Sequence, residues 1–583
     1  MKRRNNVLTI DLTNRRYTVE ERPDLFNKYI GGSGVGIKLL EENCPKGADP
    51  LGPDNPIVFT VGPLTGLYPL ASKTVAMFKS PLTGNLGESH AGGRSAVAIS
   101  SAGYGAMVIK GKSESPVYLS VNNESVKFRD ASGIWGIVNS NIVGRIVREL
   151  ETGPGMRTIM RIGGAGEKRV KYACVTTETY RHFGRLGLGA VFGSKMLKAI
   201  CISGGHSVSV KDPKSYRTTY DEVYKKAVES SLMKKYHDYG TAANIIPLNM
   251  LKGLPTRNLK AASSPDAENI SGETLAEKYL GRRVACAHCP VACIHVAALR
   301  EPYEKELFFY KTTMIPYDYE LIYALGSMVG VFDVEDMLKL IDKVEIYGLD
   351  AMSAGVVLAW ATEAQEKGLI STEETMGLEL RWGNLEGYLR AVENIVAQKN
   401  EFYKCLASGV DIASAKYGGE EYALAFGGNE MPGYHTGSAA HISHLVGSRH
   451  SHLDGGGYGV DQNIIRGKEM TPEETVDKLL EEESWRQVLS SLVICFFARG
   501  IFDPETVSNL LAITGHDLSV NDLNKFGRMV HKLKYEFKER EGFTYEKLRI
   551  PNRIYETPSA RGTVDEKIIR SSIKSFFEKL KAS

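Results

Sequence analysis

Three thiols fall within eight residues in Cys286-Ala-His-Cys289-Pro-Val-Ala-Cys293. Spaced by two and then three residues, they let one loop offer three thiolates to one face of a cubane iron–sulfur cluster. A fourth ligand must come from elsewhere, and Cys495 is the best candidate. It sits far along the chain in the apolar run Leu492-Val-Ile-Cys-Phe-Phe, and apolar surroundings insulate an electron-transfer centre. Two other chemistries use clustered thiols. Structural zinc could draw on His288 and His295, but a zinc site usually shows two ligand pairs and the second is missing. Radical-SAM enzymes place the gap of three before the gap of two, the reverse of the order here. Cys44, Cys174, Cys201 and Cys405 are isolated and read as buried apolar side chains.

The next chemistry-bearing feature is a set of glycine-rich loops. Gly62-Pro-Leu-Thr-Gly66, Lys73, Lys79-Ser-Pro-Leu-Thr-Gly84 and His90-Ala-Gly-Gly93 interleave glycines, hydroxyls and lysines, and Arg181-His-Phe-Gly-Arg-Leu-Gly-Leu-Gly189 repeats the character. Backbone N–H groups of such loops approach anionic oxygens without a side chain in the way. Two of them in one region favour a large polar cofactor over ordinary turns. Gly31-Gly-Ser-Gly-Val-Gly36 is not a dinucleotide fingerprint, because it follows a helical pattern over 23–30 instead of a strand. It reads as a turn packed closely against something. The segment 441–452 holds His441, His444, His450 and His452, four of the chain's 13 histidines, an enrichment suited to metal binding or proton transfer.

These residues need elements to hold them. Up to about residue 205 the chain reads as short strands (56–61, 75–79, 106–110, 117–121, 199–203) bounded by Gly, Pro, Asn or Ser. A boundary is expected at 204–214, and helical spacing runs from Pro213 to about Tyr236. Further helices are expected over 330–367, split by a C-cap at Gly348, and over 384–416 and 471–498. The basic amphipathic stretch 565–581 reads as a helix with a solvated face.

The 583 residues exceed what one core can serve, so several domains are expected. With 72 basic and 69 acidic residues the net charge is only +3, which argues against a nucleic-acid-coating protein. The N-terminus lacks the apolar core of a signal peptide, and no segment has the apolar length of a membrane helix. The eight cysteines are sparse for a secreted disulfide scaffold, and free thiols or metal ligands in a reducing cytoplasm fit better.

Taken together, GPLTG at 62–66, KSPLTG at 79–84, AGG at 91–93, SAGYGAMVIKGK at 101–112, GRLGLGAVFGSKMLKAI at 184–200, the thiol triplet, YELIYALGSMVGV at 319–331 and YGLD at 347–350 resemble the aldehyde:ferredoxin oxidoreductase family over most of the chain. The resemblance implies an α+β fold: an N-terminal double β-sheet base (1–207) followed by two mainly helical domains (208–405 and 406–583). It implies a tungsten (or molybdenum) bis-pterin with Mg²⁺ bridging its phosphates, and one [4Fe–4S] cluster on Cys286, Cys289, Cys293 and Cys495. Pterin contacts are implied at Lys73, at His90, Ala91, Gly92 and Gly93, and at His182, Gly184, Arg185 and Gly187. Lys73 and His90 stand where other members carry Arg and Asn. The motif Glu345-Ile-Tyr-Gly348-Leu349-Asp350 is a further implied contact, with Glu for the usual Asp at its start. Its counterpart, Ser490-Ser-Leu-Val-Ile-Cys495, lacks both the leading Asp and the Gly.

The implied reaction converts an aldehyde and water to a carboxylic acid, with electrons leaving through the cluster to ferredoxin or a small ferredoxin-like subunit. Glu320 matches the family's proton acceptor. The electrophilic partner is assigned to His452, with His450 second. Nucleic-acid and membrane partners are not expected, and homo- and hetero-oligomers are both left open. Two alternatives remain at this level: the active-site subunit of a benzoyl-CoA reductase-like complex, and a pterin-free iron–sulfur electron-transfer subunit.

Overall fold

The computed structural model describes residues 5–153, 155–177, 180–208, 210–303 and 308–582. The first 204 residues supply twelve strands: β1 (Asn6–Asp11), β2 (Arg16–Glu21), β3 (Ile57–Thr60), β4 (Thr74–Lys79), β5 (Leu86–Ala91), β6 (Ala106–Lys110), β7 (Val117–Val121), β8 (Val126–Asp130), β9 (Met156–Arg161), β10 (Val175–Thr177), β11 (Arg181–Phe183) and β12 (Leu197–Gly204). They form two six-stranded sheets, ordered β2-β1-β6-β3-β4-β5 and β11-β10-β9-β12-β7-β8. Only β1–β6 and β12–β7 pair in parallel among these neighbours.

Alternation explains how the sheets stack. Leu8, Ile10, Phe59, Ala76, Phe78, Met107 and Ile109 face a core shared with Leu119, Met160, Ile162, Ile200 and Ile202 of the second sheet. The intervening Val7, Val58, Val75, Met77 and Val108 face a second core built with the helix Gly32–Asn43 and with residues from 488–537. The inner strands β3, β4 and β6 are therefore buried on both faces, which is why they read as apolar runs and not as a polar–apolar alternation. Each fully buried Val, Leu, Ile or Phe contributes roughly 1.5–3 kcal/mol.

The Gly31–Gly36 stretch is not a turn but the entry to the helix Gly32–Asn43. Its expected close packing is present. A Cβ on Gly31 would lie 2.8 Å from the Val61 carbonyl, and one on Gly32, at φ +39°, would collide with the backbone of Ser490 and Ser491. Gly32→Ala should lower stability by roughly 1–3 kcal/mol, read as an earlier denaturant midpoint.

Beyond residue 213 the chain is mainly helical, with several departures from expectation. A three-stranded antiparallel sheet of Leu280–Val284, Ile294–Pro302 and Tyr310–Tyr317 interrupts it. The thiol triplet lies on the hairpin loop between the first two of these strands, where Val284 pairs with Ile294. The expected helix over 213–236 is two helices broken at Ser230, and the one over 384–416 is three. The helices Val334–Tyr347 and Ala351–Glu366 are split at Gly348, whose φ of 73° is left-handed, as a C-cap glycine requires. The C-terminal helix Glu566–Ala582 buries Ile569, Ile573, Phe576, Phe577 and Leu580 and turns its lysines outward. Among the described residues no helix is long and apolar enough to cross a membrane.

Candidate active site at the sheet edges

Strands β5 and β11 are the outer strands of the two sheets, so one side of each has main-chain groups free of ladder pairing. Against these edges lies a cavity enclosing about 1520 Å³ of empty space, its mouth included. Its walls include Lys73, Glu88, His90, Gly92, Arg181, His182, Gly184 and Arg185 from the sheet side, and Glu320, Glu345, Leu349, Asp350, Arg449 and His452 from the helical side.

Capping geometry aims the helical residues. Asp318 caps the helix Tyr319–Leu325 by accepting from the N–H groups of Glu320 and Leu321, which puts Glu320 in the first turn, facing the cavity. Asp350 caps the helix Ala351–Glu366 and also accepts from Arg185 Nε at 2.9 Å. Glu345 Oε2 lies 2.9 Å from His182 Nε2. Backbone bonds from Cys174 N to Gly348 O and from Asp350 N to Tyr172 O, both 2.9 Å, bind the YGLD turn to the sheet region. The two sequence motifs at 181–187 and 345–350 thus form one joint.

His452 belongs to the loop after the helix Ser438–Val446. Asp454 holds that loop: it accepts from the N–H groups of Arg449 and Ser451 and from Arg449 Nε at 2.6 Å. Burial opposes ionisation of Asp454, but Arg449 and these N–H groups outweigh it and keep its pKa low. The result is that His452 Nε2 stands 3.3 Å from Glu320 Oε1, with Tyr434 packed on the imidazole at 5.0 Å between ring centroids. Glu320 Oε2 accepts from Gly433 N at 3.3 Å. Burial, seconded by the Asp318 charge, pushes the Glu320 carboxyl up to about 8. Burial drives His452 well below the usual histidine range, so its ring is neutral.

His450 is placed differently. Its Nε2 lies 3.0 Å from Lys538 Nζ and its Nδ1 3.1 Å from the His444 carbonyl, away from the cavity walls. His90 lines the cavity and meets Glu88 at 2.7 Å; burial pushes its pKa down to about 4. Ala91, Gly93, Gly187 and Gly348 support the walls without lining them. Gly187 is left-handed, with φ of 87°.

The thiols gather one layer behind Gly92. A Cβ on Gly92 would sit 2.8 Å from Cys286 Sγ and 3.4 Å from Lys73 Nζ. The hairpin loop is tied to the 493–495 segment through Leu70, which donates to His288 O at 3.2 Å and accepts from Cys495 N at 2.9 Å. Arg181, a cavity wall, directs Nη2 toward Cys293 Sγ at 3.9 Å. Burial pushes the Cys289 thiol up to about 12 and Cys293 to about 11, and the neighbouring thiols add to the shift at Cys289. His295 turns away to the His237 carbonyl at 2.9 Å, and His288 is exposed. Among the described residues no three His, Cys, Asp or Glu side chains converge on a single-ion geometry.

Family models match this chain twice: the aldehyde ferredoxin oxidoreductase N-terminal domain over residues 7–204, and domains 2 and 3 of the same family over 218–581. The chain belongs to the aldehyde ferredoxin oxidoreductase family. It is 31% identical to the tungsten-containing aldehyde ferredoxin oxidoreductase of Thermococcus kodakarensis over 97% of this chain and 93% of that one. The enzyme of the same description from Pyrococcus furiosus is 31% identical over 95% and 92% of the two chains. The fold is shared with a chain of the active-site complex BamBC of benzoyl coenzyme A reductase, with a TM-score of 0.81 at 20% identity, covering 99% of this chain and 94% of that one. The α+β architecture expected for the family, a double-sheet base followed by helical regions, is the one observed.

Several cavity residues carried no signal in the sequence: Glu88, Asp318, Tyr434, Tyr458, Arg486 and Arg499. They come from a strand, a helix cap, loops and a helix interior, and only the tertiary fold assembles them.

Proposed function

We propose that this chain is a tungsten-pterin oxidoreductase that oxidises aldehydes to carboxylic acids and passes the electrons through a [4Fe–4S] cluster to ferredoxin or a ferredoxin-like subunit. The observation that carries the reading is the Glu320–His452 pair in a cation-lined cavity whose wall residue Gly92 packs against Cys286. The names of the relatives support tungsten, an aldehyde and ferredoxin. On this reading residues 1–207 are the pterin base, 208–405 carry three cluster cysteines and the YGLD motif, and 406–583 carry the fourth cysteine and the histidine segment. The unpaired thiols suit a reducing cytoplasm.

The residues present fit the implied groups. Arg181 Nε and Arg185 Nη1 are buried in the cavity wall without a hydrogen-bond partner in the protein. Such orphaned donors are costly unless an anion meets them. Lys73, Arg181, Arg185 and Arg449 would hold the anionic pterin groups, and main-chain carbonyls of 90–93 and 182–187 would serve Mg²⁺. Cys286, Cys289, Cys293 and Cys495 would hold the cluster; their spacing suits a polynuclear group better than one zinc ion. When bound, the tungsten centre supplies a two-electron acceptor and a Lewis acid beside the substrate carbonyl.

The overall change is RCHO + H2O → RCOOH + 2 e⁻ + 2 H⁺. Glu320, with a pKa near 8, gains and loses a proton close to working pH, as efficient acid–base catalysis requires. It takes the proton that water sheds as the new C–O bond forms. Neutral His452 polarises the carbonyl oxygen through a ring N–H, and its Nδ1 has no partner in the protein. Tyr434, tilted against the ring, and the Asp454-braced loop keep the imidazole in place.

The test is anaerobic turnover of aldehydes with a viologen acceptor. The reading expects one carboxylate formed for every two viologens reduced. Tungsten-loaded protein that oxidises no aldehyde would overturn it.

A further inference from the structure

The degraded motif Ser490–Cys495 does not contribute its serines to the cavity. The Ser490 and Ser491 carbonyls are packed against Gly31 and Gly32, and Ser491 Oγ accepts from Gly34 N at 3.1 Å. The wall beside the motif is built instead by two cations outside it, Arg486 and Arg499. Arg486 lies one helical turn before Ser490. It is only 4% exposed, yet its Nε has no hydrogen-bond partner. Its nearest carboxylate, Glu482, stands 3.8 Å away and is shared with Lys478. Arg499 donates to the Phe496 carbonyl at 2.8 Å and forms no ion pair among the described residues.

Arg486 reaches the histidine side of the acid–base pair. Arg486 Nη1 donates to the Leu453 carbonyl at 2.8 Å, and Leu453 is the neighbour of His452. The same cavity carries aromatic walls: Tyr434 stacks on Tyr458 at 4.5 Å and Tyr236 on Phe497 at 4.7 Å. A buried guanidinium with an unmet donor is stable only if a ligand supplies the missing acceptor, and a planar oxyanion matches its fork. The cations assigned above to the cofactor stand on or against the sheet edges, so this pair is left for another anion.

We infer that Arg486 and Arg499 form an anion-binding end of the cavity that receives a carboxylate, sulfonate or phosphate carried by the aldehyde substrate. The inference rests on the aldehyde-oxidising reading and narrows its substrate class to short or aromatic aldehydes that carry an acidic group.

The experiment compares holoenzyme kcat/KM, with a viologen acceptor, for succinic semialdehyde against butanal and for 4-carboxybenzaldehyde against benzaldehyde. The charged member of each pair should be favoured by about tenfold or more, the discrimination expected when a buried polar group is built to meet a substrate group. Arg486→Gln and, separately, Arg499→Gln should collapse the ratio toward one, Arg486→Lys should restore part of it, and tungsten per chain should match the wild type. A wild-type ratio of one or less overturns the inference. So does loss of tungsten in both glutamine variants, which would assign the cations to the cofactor's phosphates. Failure to oxidise any of the four aldehydes would instead sink the aldehyde-oxidising reading, and is thereby told apart.

Discussion

Glu320→Gln lowers kcat/KM for aldehyde oxidation by about 10²–10⁴-fold, the usual contribution of a positioned acid–base group. Gln keeps the size of the side chain and can still accept from Gly433 N–H, as Glu320 does at 3.3 Å, so cavity shape and metal content are retained. What is lost is the exchangeable proton. The wild-type pH profile carries the second part of this prediction. The active form is the carboxylate, and burial holds the group near 8. Below that pH the carboxyl is protonated, so kcat/KM rises about tenfold per pH unit and levels off above about 8. His452, held well below its ordinary range by burial, stays neutral across this window and adds no second limb. A flat profile, or a variant with undiminished kcat/KM at full tungsten loading, would remove Glu320 from the mechanism.

Cys495→Ser has the other large effect. This thiol is the distant member of the proposed ligand set, brought to the hairpin loop through Leu70. Losing one of four thiolates should reduce bound iron from about four per chain and abolish or alter the cluster's EPR signal. Turnover with ferredoxin then stops, because electrons have no exit. Cys405→Ser is the matched control. That thiol is buried in the helical core, away from the hairpin loop, and iron content should be unchanged. Full iron and a normal signal in Cys495→Ser would show that the fourth ligand is another residue.

Much of this was legible in the sequence, for identifiable reasons. Strand positions were marked by Gly and Pro punctuation, and Gly348 announced its own left-handed cap. The thiol spacing is local, so its loop could be read without a fold. The three-stranded sheet around that loop was not legible: its first strand, Leu-Gly-Arg-Arg-Val, is charged and largely exposed, and its partners are reached only through hairpin pairing. His450 and His452 illustrate the other limit. Both are histidines on one short loop, and no periodicity separates them. The separation comes from Asp454 gripping the loop and from Lys538 engaging His450, contacts that exist only once distant helices pack. Arg486 was hidden for the same reason, because a lone arginine on the helix Pro472–Ser491 reads as a solvated face until the cavity beside it is seen.

The central claim is a tungsten-pterin and an iron–sulfur cluster in one chain, and the most direct measurement is the metal content of anaerobically purified protein by plasma mass spectrometry. About four irons with about one tungsten (or molybdenum) per chain are predicted. Iron without tungsten or molybdenum in protein shown to be fully loaded, or zinc in place of iron, would contradict the account.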